Sequence, residues 1–122
     1  MSVDLLEHVT IRCSDLETSR RFYAEVIGLR DGDRPPFSFP GAWLYAGDTP
    51  IIHLVGGRPA ETRETGPFDH VALRVNDLDG MRSRFKEMGV EYSEQTVPGR
   101  PLHQIFLHDP DGVMLELNFW TD

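Results

Sequence analysis

The sequence predicts an α+β protein made of two tandem β-α-β-β-β modules, and three observations carry that prediction. The first is an internal repeat. Glu7-His8-Val9-Thr10-Ile11-Arg12-Cys13-Ser14-Asp15-Leu16 returns as Asp69-His70-Val71-Ala72-Leu73-Arg74-Val75-Asn76-Asp77-Leu78, at an offset of 62 (70 − 8). The match extends to Arg20/Arg82 and Glu25/Glu87, then at an offset of 63 to Asp48/Asp111 and His53/Glu116. The second is alternation of apolar and polar residues, the period of a half-buried strand. The third is one helical stretch per half, closed in each by a glycine, Gly28 and Gly89.

Taken in order, residues 7–13 place Val9, Ile11 and Cys13 on one face and His8, Thr10 and Arg12 on the other. Ser14, with Glu17 three residues later, has the spacing of a capping box. The helix that follows from about Asp15 puts Leu16, Tyr23, Val26 and Ile27 toward the core. Arg30 to Pro40 holds Gly32, Pro35, Pro36 and Pro40, so a strand there is short, at an edge or bulged. Ala42–Ala46 and Ile51–Val55 are two further strands about the turn Gly47-Asp48-Thr49-Pro50. The second half repeats this order: strand 69–75, cap Asn76, helix 77–88, strand 90–97, and strands 103–108 and 113–119 about Asp109-Pro110-Asp111-Gly112. The expected organisation is one domain over 1–122, with module one at 1–57, a polar linker at 58–67 and module two at 68–122.

Composition narrows the partners. Lys plus Arg number 12 and Asp plus Glu 20, a formal charge of −8, which argues against nucleic acid and against an anionic membrane surface. A small molecule is the expected partner. The single Cys13 has no internal disulfide partner, the N-terminus carries Asp4 and Glu7 in place of an apolar leader, and no run approaches the roughly 20 apolar residues of a membrane helix. A cytoplasmic protein is expected.

Four repeat-matched positions hold metal-ligand side chains: His8, His53, His70 and Glu116. Strand alternation puts His8 with Thr10 and Arg12, His70 with Ala72 and Arg74, His53 with Ile51 and Val55, and Glu116 with Met114 and Asn118. A repeat kept for burial alone has no reason to carry three imidazoles and a carboxylate at positions equivalent by its own symmetry. Such a donor set suits a divalent ion: Fe, Mn, Ni, Co or Zn. Arg12 is a candidate for a substrate carboxylate, and Trp43 and Phe106 are candidates to line an apolar pocket.

On these residues the chain resembles the vicinal oxygen chelate superfamily, the glyoxalase, bleomycin resistance and extradiol dioxygenase group. The resemblance rests on His8 to Leu16 followed by Arg21-Phe22-Tyr23 and Gly28-Leu29, on Asp69-His70-Val71-Ala72, and on Asp109-Pro110-Asp111-Gly112 with Leu115-Glu116-Leu117. It implies an open, cup-shaped mixed β-barrel with helices outside, a divalent metal and a homodimer. Glyoxalase's four metal positions fall on His8, His53, His70 and Glu116, with histidine at 53 where glyoxalase usually carries a glutamate that moves the substrate proton. His53 is then a fourth ligand or the acid–base group. Arg12 matches an arginine that contacts glutathione in glyoxalase.

The function so implied is a metal-dependent, glyoxalase-like lyase or isomerase acting on a small oxygenated metabolite. Two alternatives stand beside it. One is an extradiol dioxygenase using Fe(II) on His8, His70 and Glu116; the other is a metal-free small-molecule binding or resistance protein of the bleomycin-binding type.

Overall fold

The computed structural model describes residues 1–61 and 63–121. The chain divides into two compact units, Met1–Thr62 and Arg63–Asp122. In unit 1 the elements are β1 (Val9–Arg12), α1 (Leu16–Arg21), β2 (Arg30–Gly32), β3 (Gly41–Ala46) and β4 (Thr49–Val55). In unit 2 they are β5 (His70–Arg74), α2 (Leu78–Met88), β6 (Ser93–Thr96), β7 (Leu102–His108) and β8 (Met114–Trp120). The expected β-α-β-β-β order is present twice. Each unit forms one four-stranded mixed sheet, ordered β1-β4-β3-β2 and β5-β8-β7-β6.

The first strand of each unit pairs in parallel with the last, Thr10 beside His53 and Ala72 beside Glu116. Parallel neighbours need a crossover connection, and α1 and α2 supply it. One further backbone bond extends each ladder: Cys13 N–H to Val55 O at 2.8 Å and Val75 N–H to Asn118 O at 2.9 Å. The other pairings are antiparallel hairpins.

Alternation along the strands then sorts the side chains by face. In unit 1, Ile11, Cys13, Ala42, Leu44, Ile52 and Leu54 are buried with Tyr23, Val26 and Ile27 of the helical segment. In unit 2, Val71, Ile105, Leu107, Leu115, Leu117 and Phe119 are buried, as are Met81 and Phe85 of α2. The intervening residues, His53 and Glu116 among them, therefore lie on the sheet face that the helix does not cover.

Several boundaries differ from the sequence expectation. Asp15, not Ser14, caps α1, its Oδ1 accepting from Thr18 N–H at 3.2 Å. Asp77, not Asn76, caps α2, accepting from Gly80 N–H at 3.1 Å. In both cases the aspartate three residues before the free N–H reaches it. α1 also continues as a π-helical turn, Phe22–Ile27, that ends on left-handed Gly28. Strand 90–97 contracts to 93–96, because Val90 N–H closes the helix end on Phe85 O at 2.9 Å. Thr49 and Pro50 belong to β4 and leave a two-residue turn; the register shift between Leu44 and Tyr45 accommodates Pro50, which has no N–H to donate.

A matched clip ties helix to edge strand in each unit. Arg20 Nε donates to Asp31 Oδ2 at 2.8 Å while its Nη1 donates to Glu17 at 3.2 Å. Arg82 Nε donates to Glu94 Oε1 at 3.1 Å, with Asp79 3.6 Å away and His103 Nε2 2.6 Å from the same Glu94 oxygen. Cys13 is a buried thiol whose Sγ lies 3.5 Å from Val55 O. Among the described residues, no helix is long and apolar enough to cross a membrane.

Two outcomes test this account. A Cβ on Gly41 would sit 2.4 Å from Leu54 O across the β3–β4 pair. Gly41→Ala is expected to destabilise the chain by about 1–3 kcal/mol in urea unfolding, and a neutral result would contradict the register. Glu94 is held below the ordinary glutamate range, first by the Arg82 hydrogen bond and then by His103. A carboxylate lowered on folding stabilises above its unfolded pKa and loses that contribution as pH falls through the folded one. Glu94→Gln is expected to lower the urea midpoint slightly at neutral pH and to match wild type at about pH 2.

Candidate functional site

Parallel pairing brings together residues that are far apart in sequence. In unit 1 the rings of His8 and His53 stack with centroids 3.8 Å apart and planes 12° from parallel. Trp43 stacks on His53 as well, at 4.2 Å and 13°. Trp43 is the cross-strand partner of His53, so the strand register itself builds this stack. In unit 2 His70 Nε2 lies 3.2 Å from Glu116 Oε1.

The expected four-ligand set is thus present as two pairs, His8 with His53 and His70 with Glu116. Among the described residues, no group of three or more His, Cys, Asp or Glu side chains that could hold a metal is gathered. Arg12, at the end of β1 beside Val55, is exposed and makes no ion pair among the described residues. Phe106 is the cross-strand partner of Glu116, and Trp43 lies against His53.

His8 and His53 each have one nitrogen engaged by an oxygen acceptor, and His70 has both, Asp69 on Nδ1 and Glu116 on Nε2. His8 Nδ1 meets Glu7 Oε1 at 3.0 Å, and His70 Nδ1 meets Asp69 Oδ2 at 2.7 Å. His53 Nε2 meets Pro50 O at 3.1 Å; a carbonyl only accepts, so this nitrogen carries the hydrogen. An imidazole oriented in this way through one N–H presents the other nitrogen to a metal. Each pair by itself offers donors of the kind a divalent ion takes, two imidazoles in unit 1 and an imidazole with a carboxylate in unit 2. The sequence held a signal for two of these contacts, since a carboxylate residue directly precedes His8 and His70 in both copies of the repeat.

Electrostatics separates the two pairs. His53 titrates below the ordinary histidine value, because burial between His8 and Trp43 disfavours its charged form and His8 and Arg34 add repulsion, against a weaker opposing pull from the Pro50 carbonyl and Glu7. His70 titrates above the ordinary value, chiefly through the Asp69 hydrogen bond, with the Glu116 charge adding to it. In unit 2 the carboxylate belongs to a longer polar chain. Gln95 Nε2 donates to Gln104 Oε1 at 2.8 Å, Gln104 Nε2 to Asn118 Oδ1 at 3.1 Å, and Asn118 Nδ2 to Glu116 Oε2 at 2.9 Å. That bond orients Glu116, with Oε1 facing His70.

Sequence reasoning passed over this amide chain and also the aromatic segment of unit 1. Phe37 and Phe39 stack at 5.1 Å, and Phe37 lies 6.5 Å from Trp43. No local pattern marks Gln95, Gln104 and Asn118, which meet only through strand pairing; the prolines of 35–40 obscured the aromatic residues between them.

Comparison with known proteins agrees with this architecture. A sequence profile described as the Glyoxalase/Bleomycin resistance protein/Dioxygenase superfamily matches residues 5–117. "Glyoxylase I 4" of Arabidopsis thaliana is 32% identical over 92% of this chain and 68% of its own length. "Probable lactoylglutathione lyase" of Vibrio parahaemolyticus is 30% identical over 96% of this chain and 91% of its own. The crystal structure of a glyoxylase/bleomycin resistance protein/dioxygenase domain from Frankia is similar in fold, with a TM-score of 0.81 and 21% identity over 99% of this chain and 95% of that one.

Without added metal and in the presence of a chelator, ring resonances followed by NMR are expected to place His70 above and His53 below the ordinary histidine pKa, with Asp69→Asn bringing His70 down. The reverse order would contradict the contacts that distinguish the two rings.

Proposed function

The chain belongs to the Glyoxalase/Bleomycin resistance protein/Dioxygenase superfamily, and on that premise we propose that it is a divalent-metal-dependent lyase or isomerase of the glyoxalase type, acting on a small oxygenated metabolite. His8, His53, His70 and Glu116 are the proposed ligand positions. The observations that support this reading are the orientation of His8, His53 and His70 by hydrogen bonds to Glu7, Pro50 and Asp69, and, in unit 2, the Glu116 carboxylate held by Asn118 on Oε2 with Oε1 facing His70. The names of the Arabidopsis and Vibrio relatives favour the glyoxalase branch.

A divalent ion, when bound, supplies Lewis acidity toward two neighbouring oxygens of the substrate. The chain's own residues do the rest. His53 stays neutral at neutral pH because its charged form is disfavoured, and only its Nδ1 is free of the Pro50 contact. That nitrogen serves either as a fourth ligand or as the base that takes a proton from the carbon beside the substrate carbonyl and returns it to the neighbouring carbon. Trp43, stacked on His53, keeps water from that face of the ring. Phe106, across from Glu116, supplies an apolar neighbour to the carboxylate. Homodimerisation is part of the same proposal, supported by the exposed apolar residues Val3, Leu5 and Leu6 ahead of β1.

Metal analysis tests the reading directly. The purified chain is expected to hold a divalent ion stoichiometrically, with the ion lost in His8→Ala and in Glu116→Ala. Asn118→Leu, which removes no ligand, is expected to weaken metal affinity about 10–100-fold. His53→Gln separates its two roles: metal lost marks a ligand, whereas metal kept with turnover of a glutathione hemithioacetal abolished marks the base. A chain that takes up no divalent ion even when one is added back would overturn the proposal.

A further inference from the structure

Unit 1 departs from unit 2 beside His53. At the 63 offset Gln104 is replaced by Gly41 and Asn118 by Val55, so unit 1 carries neither amide of the chain that braces Glu116. The space is used by an arginine. A Cβ at Gly41 would lie 2.7 Å from Arg34 Nη2 and 3.1 Å from its Cζ, so the guanidinium lies where only glycine leaves room. The same guanidinium carbon sits 5.0 Å from the ring centroids of both Phe37 and Phe39. Nη2 donates to Phe39 O at 3.0 Å, which fixes the group against its own loop.

Two features of this arrangement point to a ligand. Among the described residues Arg34 has no carboxylate partner, although the chain has an excess of carboxylates and Arg20 and Arg82 each hold two. A guanidinium carries five N–H donors in a planar fork that matches a carboxylate, and a single contact leaves most of them unspent. In addition, Phe37 and Phe39 are 46% and 44% exposed and continue through Trp43 to His53, so an aromatic surface runs from the guanidinium to the imidazole.

We infer that unit 1 holds a recognition site for a small organic carboxylate, its carboxylate on Arg34 and a planar apolar body on Phe37, Phe39 and Trp43. The inference deepens the function proposed above and rests on it for treating this ligand as substrate. It names the substrate class as an organic anion with an apolar portion, and Arg34 as the residue that selects the charge.

The test uses benzoate and its neutral counterpart benzamide as probes of the full chain, both as purified and after chelation, by calorimetry and by the Trp43 indole resonance. Benzoate is expected to bind at least about tenfold more tightly than benzamide in both states, to lose that margin in Arg34→Gln, and to recover part of it in Arg34→Lys, which keeps the charge without the fork. Equal affinity for the two probes, no binding of either, or benzoate affinity unchanged in Arg34→Gln would overturn the inference. So would a Phe37→Ser chain that binds benzoate as wild type does but sediments differently, because the aromatic residues would then be a contact with a second copy. Loss of metal binding with benzoate selectivity intact would strike the metal reading alone.

Discussion

The meeting of the candidate ligands within each unit depends on the parallel pairing of its first strand with its last. β1 and β4 are separated by a helix and two strands, yet their register sets Thr10 beside His53 and thereby brings the His8 ring onto His53. The same pairing of β5 with β8 carries His70 to Glu116. A parallel ladder cannot be closed by a tight turn, so the crossover helix is obligatory. That helix covers one face of the sheet and leaves the other to the polar side chains. The strand period of two then decides which residues reach that open face.

The two units use the open face differently. Unit 2 fills it with amides: Gln95, Gln104 and Asn118 pass hydrogen bonds along to Glu116 and hold one carboxylate oxygen, while His70 meets the other. Satisfied polar networks of this kind rigidify what they touch. Unit 1 has Gly41 and Val55 at the matching positions, and the freed space is taken by Arg34 and an aromatic row. One copy of the repeat has thus become a brace for a carboxylate. The other has become an apolar surface with a cation on it, next to an imidazole whose charged form burial disfavours.

The helix-to-edge clip shows what the repeat retained for structure alone. Arg20 and Arg82 occupy equivalent helix positions, and each bridges an acidic residue one turn earlier and another on the edge strand. Exposed ion pairs contribute little individually. Their placement at the free edge of each sheet nevertheless ties down a short strand that has only one hydrogen-bonded neighbour.

The sequence by itself determined the element order, the core face of each strand and the candidate ligands, because strand period and repeat symmetry are local or translational properties that survive in one dimension. His8, His53, His70 and Glu116 were legible for that reason, and so were Gly28 and Gly89 at the helix ends. Only the tertiary structure decided which of these residues meet, and how. The stack of His8, His53 and Trp43, the amide chain behind Glu116 and the guanidinium over Gly41 all arise from contacts between strands or between a loop and a strand. Such contacts follow from register and from space left by an absent side chain, and neither is written in the order of the residues.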